Sequence, residues 1–304
     1  MDNGKRDDEQ DAPRVSRRGF LTRAAAGASL TAAAAALHTP PVAAQRRKRG
    51  AKPKVEYGRL PEVSVLSLMT QYQSGDLTIP AYLSLPGKKK SAPAVLVIHE
   101  VFGLNDHIKS IAERIASEGY VALAPNFFVR ASQNPPPSDA TDMQAIRRAA
   151  SSIPVEAAIK DMQAALDFLK SNKGDLANAG TKVKPRFASI GFCMGGGFSY
   201  QLATHTRDLA GAVIFYGRTP VELAPQVSCP LLGNFGAQDR GIPPEQVQAW
   251  VEAVTKAGKS VDAKIYPDAG HGFFNDTRAQ AYNAAAAADA WQRTLKFFRE
   301  RLGT

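Results

Sequence analysis

The sequence predicts an α/β domain, a mostly parallel sheet flanked by helices on both faces, with an antiparallel pair of strands at its start. Short apolar runs alternate with amphipathic stretches from Ala94 to Leu302, the pattern of buried strands and covering helices. The residue types that do chemistry follow the ends of those runs, where ligands bind in folds of this class. One run, Phe187 to Phe192, leads into Cys193-Met194-Gly195-Gly196-Gly197, a cysteine set between a strand and a small-residue helix. With 304 residues and 44% hydrophobic content, the chain has enough apolar side chain for one sizeable core.

The domain is expected over residues 55–304. Residues 1–44 read as an export signal: Ser16-Arg17-Arg18-Gly19-Phe20-Leu21 is a twin-arginine pattern, followed by an alanine-rich run and by Val42-Ala43-Ala44, with cleavage expected after Ala44. The run from Ala24 to Leu37 is 14 residues, short of the ~20 that span a bilayer, so no stable membrane span is expected. The implied partner is the twin-arginine export machinery, and the implied destination is periplasmic or secreted. Residues 45–54 form a basic linker. The net charge of +10 does not point to nucleic acid, because residues 1–54 hold much of it; the remainder carries 26 basic and 23 acidic residues.

Along the domain, Val63 to Tyr72 and Ile79 to Leu85 read as strands joined by a turn at Ser74-Gly75-Asp76. Ala94 to Ile98 is a buried strand. Asp106 is expected to cap a helix with apolar positions Ile108, Ile111, Ala112 and Ile115, closed by Gly119. Tyr120 to Ala124 is the next strand. From Arg130 to Pro154 the sequence is irregular and proline-rich; part is helical, but Pro135-Pro136-Pro137 argues for a loop or small cap at the sheet edge. Ile159 to Leu169 is an amphipathic helix. Strands are expected at Ala212 to Tyr216, Leu231 to Phe235 and Val261 to Tyr266, a helix at 244–257, and a closing helix with Trp291, Leu295, Phe298 and Leu302 on its apolar stripe. Of the two cysteines, which an exported protein could pair, Cys229 precedes Pro230 and a strand and reads as a buried structural thiol.

Gly191-Phe192-Cys193-Met194-Gly195 has the layout of a nucleophile elbow, with cysteine in place of the usual serine. Small neighbours allow a sharp strand-to-helix turn that lifts the side chain above the sheet. The next N–H, that of Met194, then lies at a helix N-terminus. Downstream, one strand end carries Asp239 and another His271. The order nucleophile, acid, histidine is that of the α/β-hydrolases. In that arrangement His271 exchanges the thiol proton and Asp239 orients the imidazole. A second oxyanion donor is expected from the Val101 N–H, in the loop after the strand ending at Ile98. His99-Glu100 superficially suggests a zinc helix motif, but Gly103 occupies the position of the second histidine, and no metal or other cofactor is expected. His107 reads as a surface or helix-start residue.

From about Val55 to Leu302 the chain resembles the dienelactone hydrolases, a branch of the α/β-hydrolases. The similarity rests on His99-Glu100-Val101-Phe102-Gly103-Leu104, Gly191-Phe192-Cys193-Met194-Gly195-Gly196, Gly236-Ala237-Gln238-Asp239 and Ala269-Gly270-His271-Gly272-Phe273-Phe274. The resemblance implies a Cys193–His271–Asp239 triad. It also implies that Glu100 interacts with the resting cysteine and is displaced when substrate binds. Of two arginines that hold the substrate carboxylate in the family, one corresponds to Arg130, and the other position holds Asn275, which brings no charge. Arg218 and Phe102 are further candidates for the substrate pocket.

These readings lead to an expected exported hydrolase of a lactone or small carboxylic ester, working through a thioester. The competing readings are a broader carboxylesterase or thioesterase acting on neutral esters, and a periplasmic binding protein that kept the fold without turnover.

Overall fold

The computed structural model describes residues 65–87, 89–131 and 142–303. The export signal, the basic linker and the expected boundaries at 44 and 54 lie outside the described residues. Among the described residues, eight strands form one sheet: β1 (Val65–Ser74), β2 (Leu77–Pro86), β3 (Ser91–Ile98), β4 (Val121–Pro125), β5 (Lys182–Phe192), β6 (Leu209–Phe215), β7 (Leu231–Gly236) and β8 (Val261–Tyr266). Their order is β1-β2-β4-β3-β5-β6-β7-β8. The β1–β2 and β2–β4 pairs are antiparallel, and every pair from β4 to β8 is parallel. The helices are α1 (Asp106–Ser117), α2 (Met143–Ser151), α3 (Val155–Ser171), the short α4 (Asp175–Asn178), α5 (Met194–His205), α6 (Pro244–Lys256) and α7 (Ala284–Leu302).

The central strands are apolar on both faces because both faces are covered. In β3, Ala94, Leu96 and Ile98 join one buried cluster with α3, α5 and α6, while Val95 and Val97 join the other with α1 and α7. The same alternation divides β6, where Ala212 and Ile214 face one layer and Val213 and Phe215 the other. The stripe of Trp291, Leu295, Phe298 and Leu302 is buried in the second cluster, as its spacing predicts.

One local expectation is corrected. Helix α1 is capped by Asn105, whose side chain accepts from the Ile108 N–H, so Asp106 is its first residue. The helical part expected between Arg130 and Pro154 is α2, which starts where Asp142 accepts from the Gln144 and Ala145 N–H groups. His107 stands at the start of α1, one of its two expected placements, and is buried rather than at the surface, with the Asp276 carboxylate 3.2 Å from its Nδ1.

Candidate active site

The site is assembled at the carboxyl ends of β3, β5, β6, β7 and the turn after β8. At the elbow Cys193 has φ 54° and ψ −116°, a backbone conformation that costs a non-glycine residue of order 1–3 kcal/mol and persists only where its surroundings enforce it. Close approach of main chain does so. A Cβ on Gly191 would lie 1.8 Å from the Gly195 carbonyl oxygen, and one on Gly195 would lie 2.3 Å from that of Ile98. Only glycine fits either position, so β5 can turn into α5 directly against β3. The Cys193 N–H is tied to the Phe215 carbonyl at 3.0 Å. Met194 N–H, at the first position of α5, has no intrahelical acceptor.

Cys193 Sγ lies 3.0 Å from His271 Nε2, and His271 Nδ1 lies 2.7 Å from Asp239 Oδ2. Asp239 is buried, and its other oxygen accepts from the Gly241 and Ile242 N–H groups at 2.8 and 3.2 Å. Burial would raise the Asp239 carboxyl, but the His271 bond and those amides outweigh it and hold the group below the usual carboxylate range. For His271, burial opposes the cation, yet the bonds to Asp239 and Cys193 carry its pKa up to about 10. An imidazolium lying between a carboxylate and a thiol sulfur is the arrangement that stabilises thiolate. Cys229 is different in kind: it is buried, unpaired, and pushed up to about 12 by burial. Both cysteines are free thiols, so the possible disulfide between them is not formed.

A cleft of about 560 Å³ opens beside the sulfur. Val101, Met194, Phe198 and Ile242 supply much of its apolar wall, with Tyr216 and His271 at the reacting end. Val101 and Met194, the two expected oxyanion donors, therefore border the same space as Cys193. Arg218 also lines it, as expected, together with Arg147 of α2, which sequence reasoning missed.

The profile of the family described as "Dienelactone hydrolase family" matches residues 79–302. The chain belongs to the dienelactone hydrolase family. Two relatives bear the description "Putative carboxymethylenebutenolidase". One, from Escherichia coli (strain K12), is 32% identical over 79% of this chain and 89% of its own length. The other, from Saccharolobus solfataricus, is 36% identical over 75% and 96%. A crystal structure titled "Putative Dienelactone Hydrolase", from Klebsiella pneumoniae, superposes with a TM-score of 0.70 at 29% identity, covering 78% of this chain and 99% of that one. As a dienelactone hydrolase family member the chain is a hydrolase acting on ester bonds, on an α/β-hydrolase fold.

Against the family pattern, four expected residues are placed differently. Glu100 does not contact the cysteine. Its buried carboxylate accepts from Tyr216 Oη at 3.2 Å and from Asn275 Nδ2 at 2.5 Å, which leaves Cys193 to His271. Burial, then the nearby Glu100 charge, pushes the Tyr216 phenol well above 10 and keeps it a donor. Asn275 is accordingly spent on Glu100 rather than on substrate. Arg130 does not line the cleft, because Nε and Nη2 hold both oxygens of the fully buried Asp161 at 2.8 and 2.7 Å. Phe102 also lies outside the lining, its ring covered by the Arg278 guanidinium at 4.6 Å. His99 is a core residue: Nε2 accepts from the Phe127 N–H, so Nδ1 carries the proton and donates to the Glu100 carbonyl at 2.7 Å. Tyr216 was missed as a site residue; its φ of 39° after an apolar strand has no sequence signature.

Proposed function

We propose that this chain hydrolyses a small carboxylic ester or lactone through a Cys193–His271–Asp239 triad, after export by the twin-arginine route. The observation that carries the catalytic reading is the continuous chain of contacts from Asp239 Oδ2 through His271 to Cys193 Sγ, on a strained elbow beside a cleft. The sulfur attacks the carbonyl carbon, forming a C–S bond while the carbonyl π pair moves to oxygen. The Met194 and Val101 N–H groups receive that oxyanion. As the C–O bond to the alcohol breaks, His271 Nε2 donates its proton to the departing oxygen, leaving a thioester. A water then loses a proton to His271 and attacks the thioester carbon. The C–S bond breaks, the acid leaves, and the sulfur regains its imidazolium partner. Because His271 already pairs with the sulfur, Glu100 is not needed as the base; it holds Tyr216 and closes the floor of the site.

Neither Arg130 nor Asn275, the two positions that the family resemblance marks for a substrate carboxylate, is available to hold one, since Asp161 and Glu100 occupy them. The test is turnover of p-nitrophenyl acetate and dienelactone by the purified protein, with intact-mass detection of the acyl-enzyme at low pH. Cys193→Ala should lose both turnover and adduct; parent-like turnover by that variant sinks the proposal. Export rests on the Arg17-Arg18 pattern. Replacing both by lysine should retain the protein in the cytoplasm, and unchanged release would remove that part of the reading.

A further inference from the structure

The charges on the walls of the cleft have one sign. Arg147 of α2 and Arg218, two residues beyond Tyr216, both line the space that Cys193 faces, and no Asp or Glu is among the described lining residues. Both arginines are exposed, and among the described residues neither has a carboxylate within ion-pair distance. The other charged-looking neighbours are accounted for elsewhere: Arg148 lies near the capping Asp142, and Arg130 is held by Asp161. The reaction as written uses neither Arg147 nor Arg218. Much of the remaining wall is apolar, with Val155, Met194, Phe198 and Ile242. A guanidinium has five donors in a fixed fork that matches a carboxylate. With no carboxylate partner among the described residues, such forks at a largely apolar cleft favour an anionic substrate group.

We propose that the cleft selects esters whose acyl chain is apolar next to the carbonyl and ends in a carboxylate, held by Arg147 and Arg218. The monoester of a medium-length dicarboxylic acid is the simplest such substrate. This deepens the proposed function and rests on Cys193 being the acylated residue. The cleft volume of about 560 Å³ gives room for a chain with its distal group, beyond a compact lactone ring. Both arginines also raise the local concentration of an anionic substrate, an effect that salt weakens.

The experiment compares mono-p-nitrophenyl adipate with p-nitrophenyl hexanoate, which match in chain length and differ in the terminal charge. It uses the purified protein, Arg147→Met, Arg218→Met and the double variant at low ionic strength. The parent should prefer the adipate. The ratio of kcat/KM for adipate over hexanoate should fall about five-fold in either single variant and about twenty-fold in the double. The change should appear in KM, and hexanoate turnover should be retained. Raising the salt concentration should lower the parent's ratio and leave that of the double variant flat. A ratio within two-fold of the parent in the double variant, with hexanoate still hydrolysed, overturns the anion site and leaves the thioester mechanism standing. Failure of both esters to acylate Cys193 in the parent overturns the mechanism and this inference with it.

Discussion

Asn275 Nδ2 donates to Glu100 Oε2 across 2.5 Å, joining two residues 175 positions apart in the chain. The direction of the amide is fixed from its other end, where Oδ1 accepts from the Thr277 N–H at 3.1 Å and from Thr277 Oγ1 at 2.6 Å. With Tyr216 on its other oxygen, the Glu100 carboxylate is satisfied by neutral donors and held off the sulfur. The loop after His271 therefore sets the floor of the site as well as supplying its imidazole.

Removing the Asn275 amide strands a buried carboxylate. Asn275→Ala is expected to cost about 2–3 kcal/mol of unfolding free energy, the usual penalty for a buried charged acceptor that loses its donor. Asn275→Asp places a second carboxylate against the first and should be more destabilising than Asn275→Ala. Urea unfolding of the two variants measures both effects. Parent-like stability of Asn275→Ala would show that Glu100 does not depend on this bond.

Arg130 yields the opposite expectation from a substrate-binding arginine. Its fork holds the fully buried Asp161, and Tyr72 Oη donates to the Asp161 carbonyl nearby at 3.0 Å. Arg130→Ala leaves that carboxylate without its cation and should cost about 3–5 kcal/mol of stability. At a temperature where the variant remains folded, kcat/KM for charged and neutral esters should stay within two-fold of the parent. A selective loss on anionic substrates would return Arg130 to the binding site.

How far these relations were legible in the sequence depends on their range. The central strands were legible because β3, β6, β7 and the Phe187–Phe192 part of β5 are buried on both faces and read as short, largely apolar runs. Cys193, Asp239 and His271 were legible because each follows the end of a strand pattern with glycine within a few residues. Partners that arrive from afar were not. Asp161 lies on the buried face of α3 and Arg130 after β4, and nothing local in either segment indicates the ion pair. Arg147 sits in a short helix next to a proline-rich stretch, where breaker residues hide the helical period. His107 reads as polar and exposed until the turn carrying Asp276 folds over it.

His99 predicts an acid weakness away from the chemistry. Burial holds its imidazole neutral and lowers its pKa to about 4. The unfolded chain takes up a proton near 6.5, so the folded state should lose stability as the pH falls from about 6.5 towards 4, by about 3 kcal/mol over that window. His99→Gln, which can still accept from the Phe127 N–H, should flatten this part of the profile. Denaturant midpoints measured between pH 4 and 7 are the check, and an unchanged slope in the variant would count against His99 as its source.

His271 should show the reverse sign. Its folded pKa, about 10, lies above that of the unfolded chain, so its contribution to stability is complete below about pH 6.5 and fades as the pH rises towards 10. The thermal stability advantage of the parent over His271→Gln should therefore be greatest in mild acid and shrink steadily into alkali. Proton-detected NMR of the ring should show an imidazolium persisting through pH 8. Two of the influences that raise the pKa come from Cys193, through its bond and its charge. Cys193→Ala should accordingly bring the titration midpoint down while Asp239 keeps it above 6.5, and Asp239→Asn should lower it by the other route. A midpoint that ignores Cys193 would mean that sulfur and ring do not share a proton, and the thiolate–imidazolium pair would have to be abandoned.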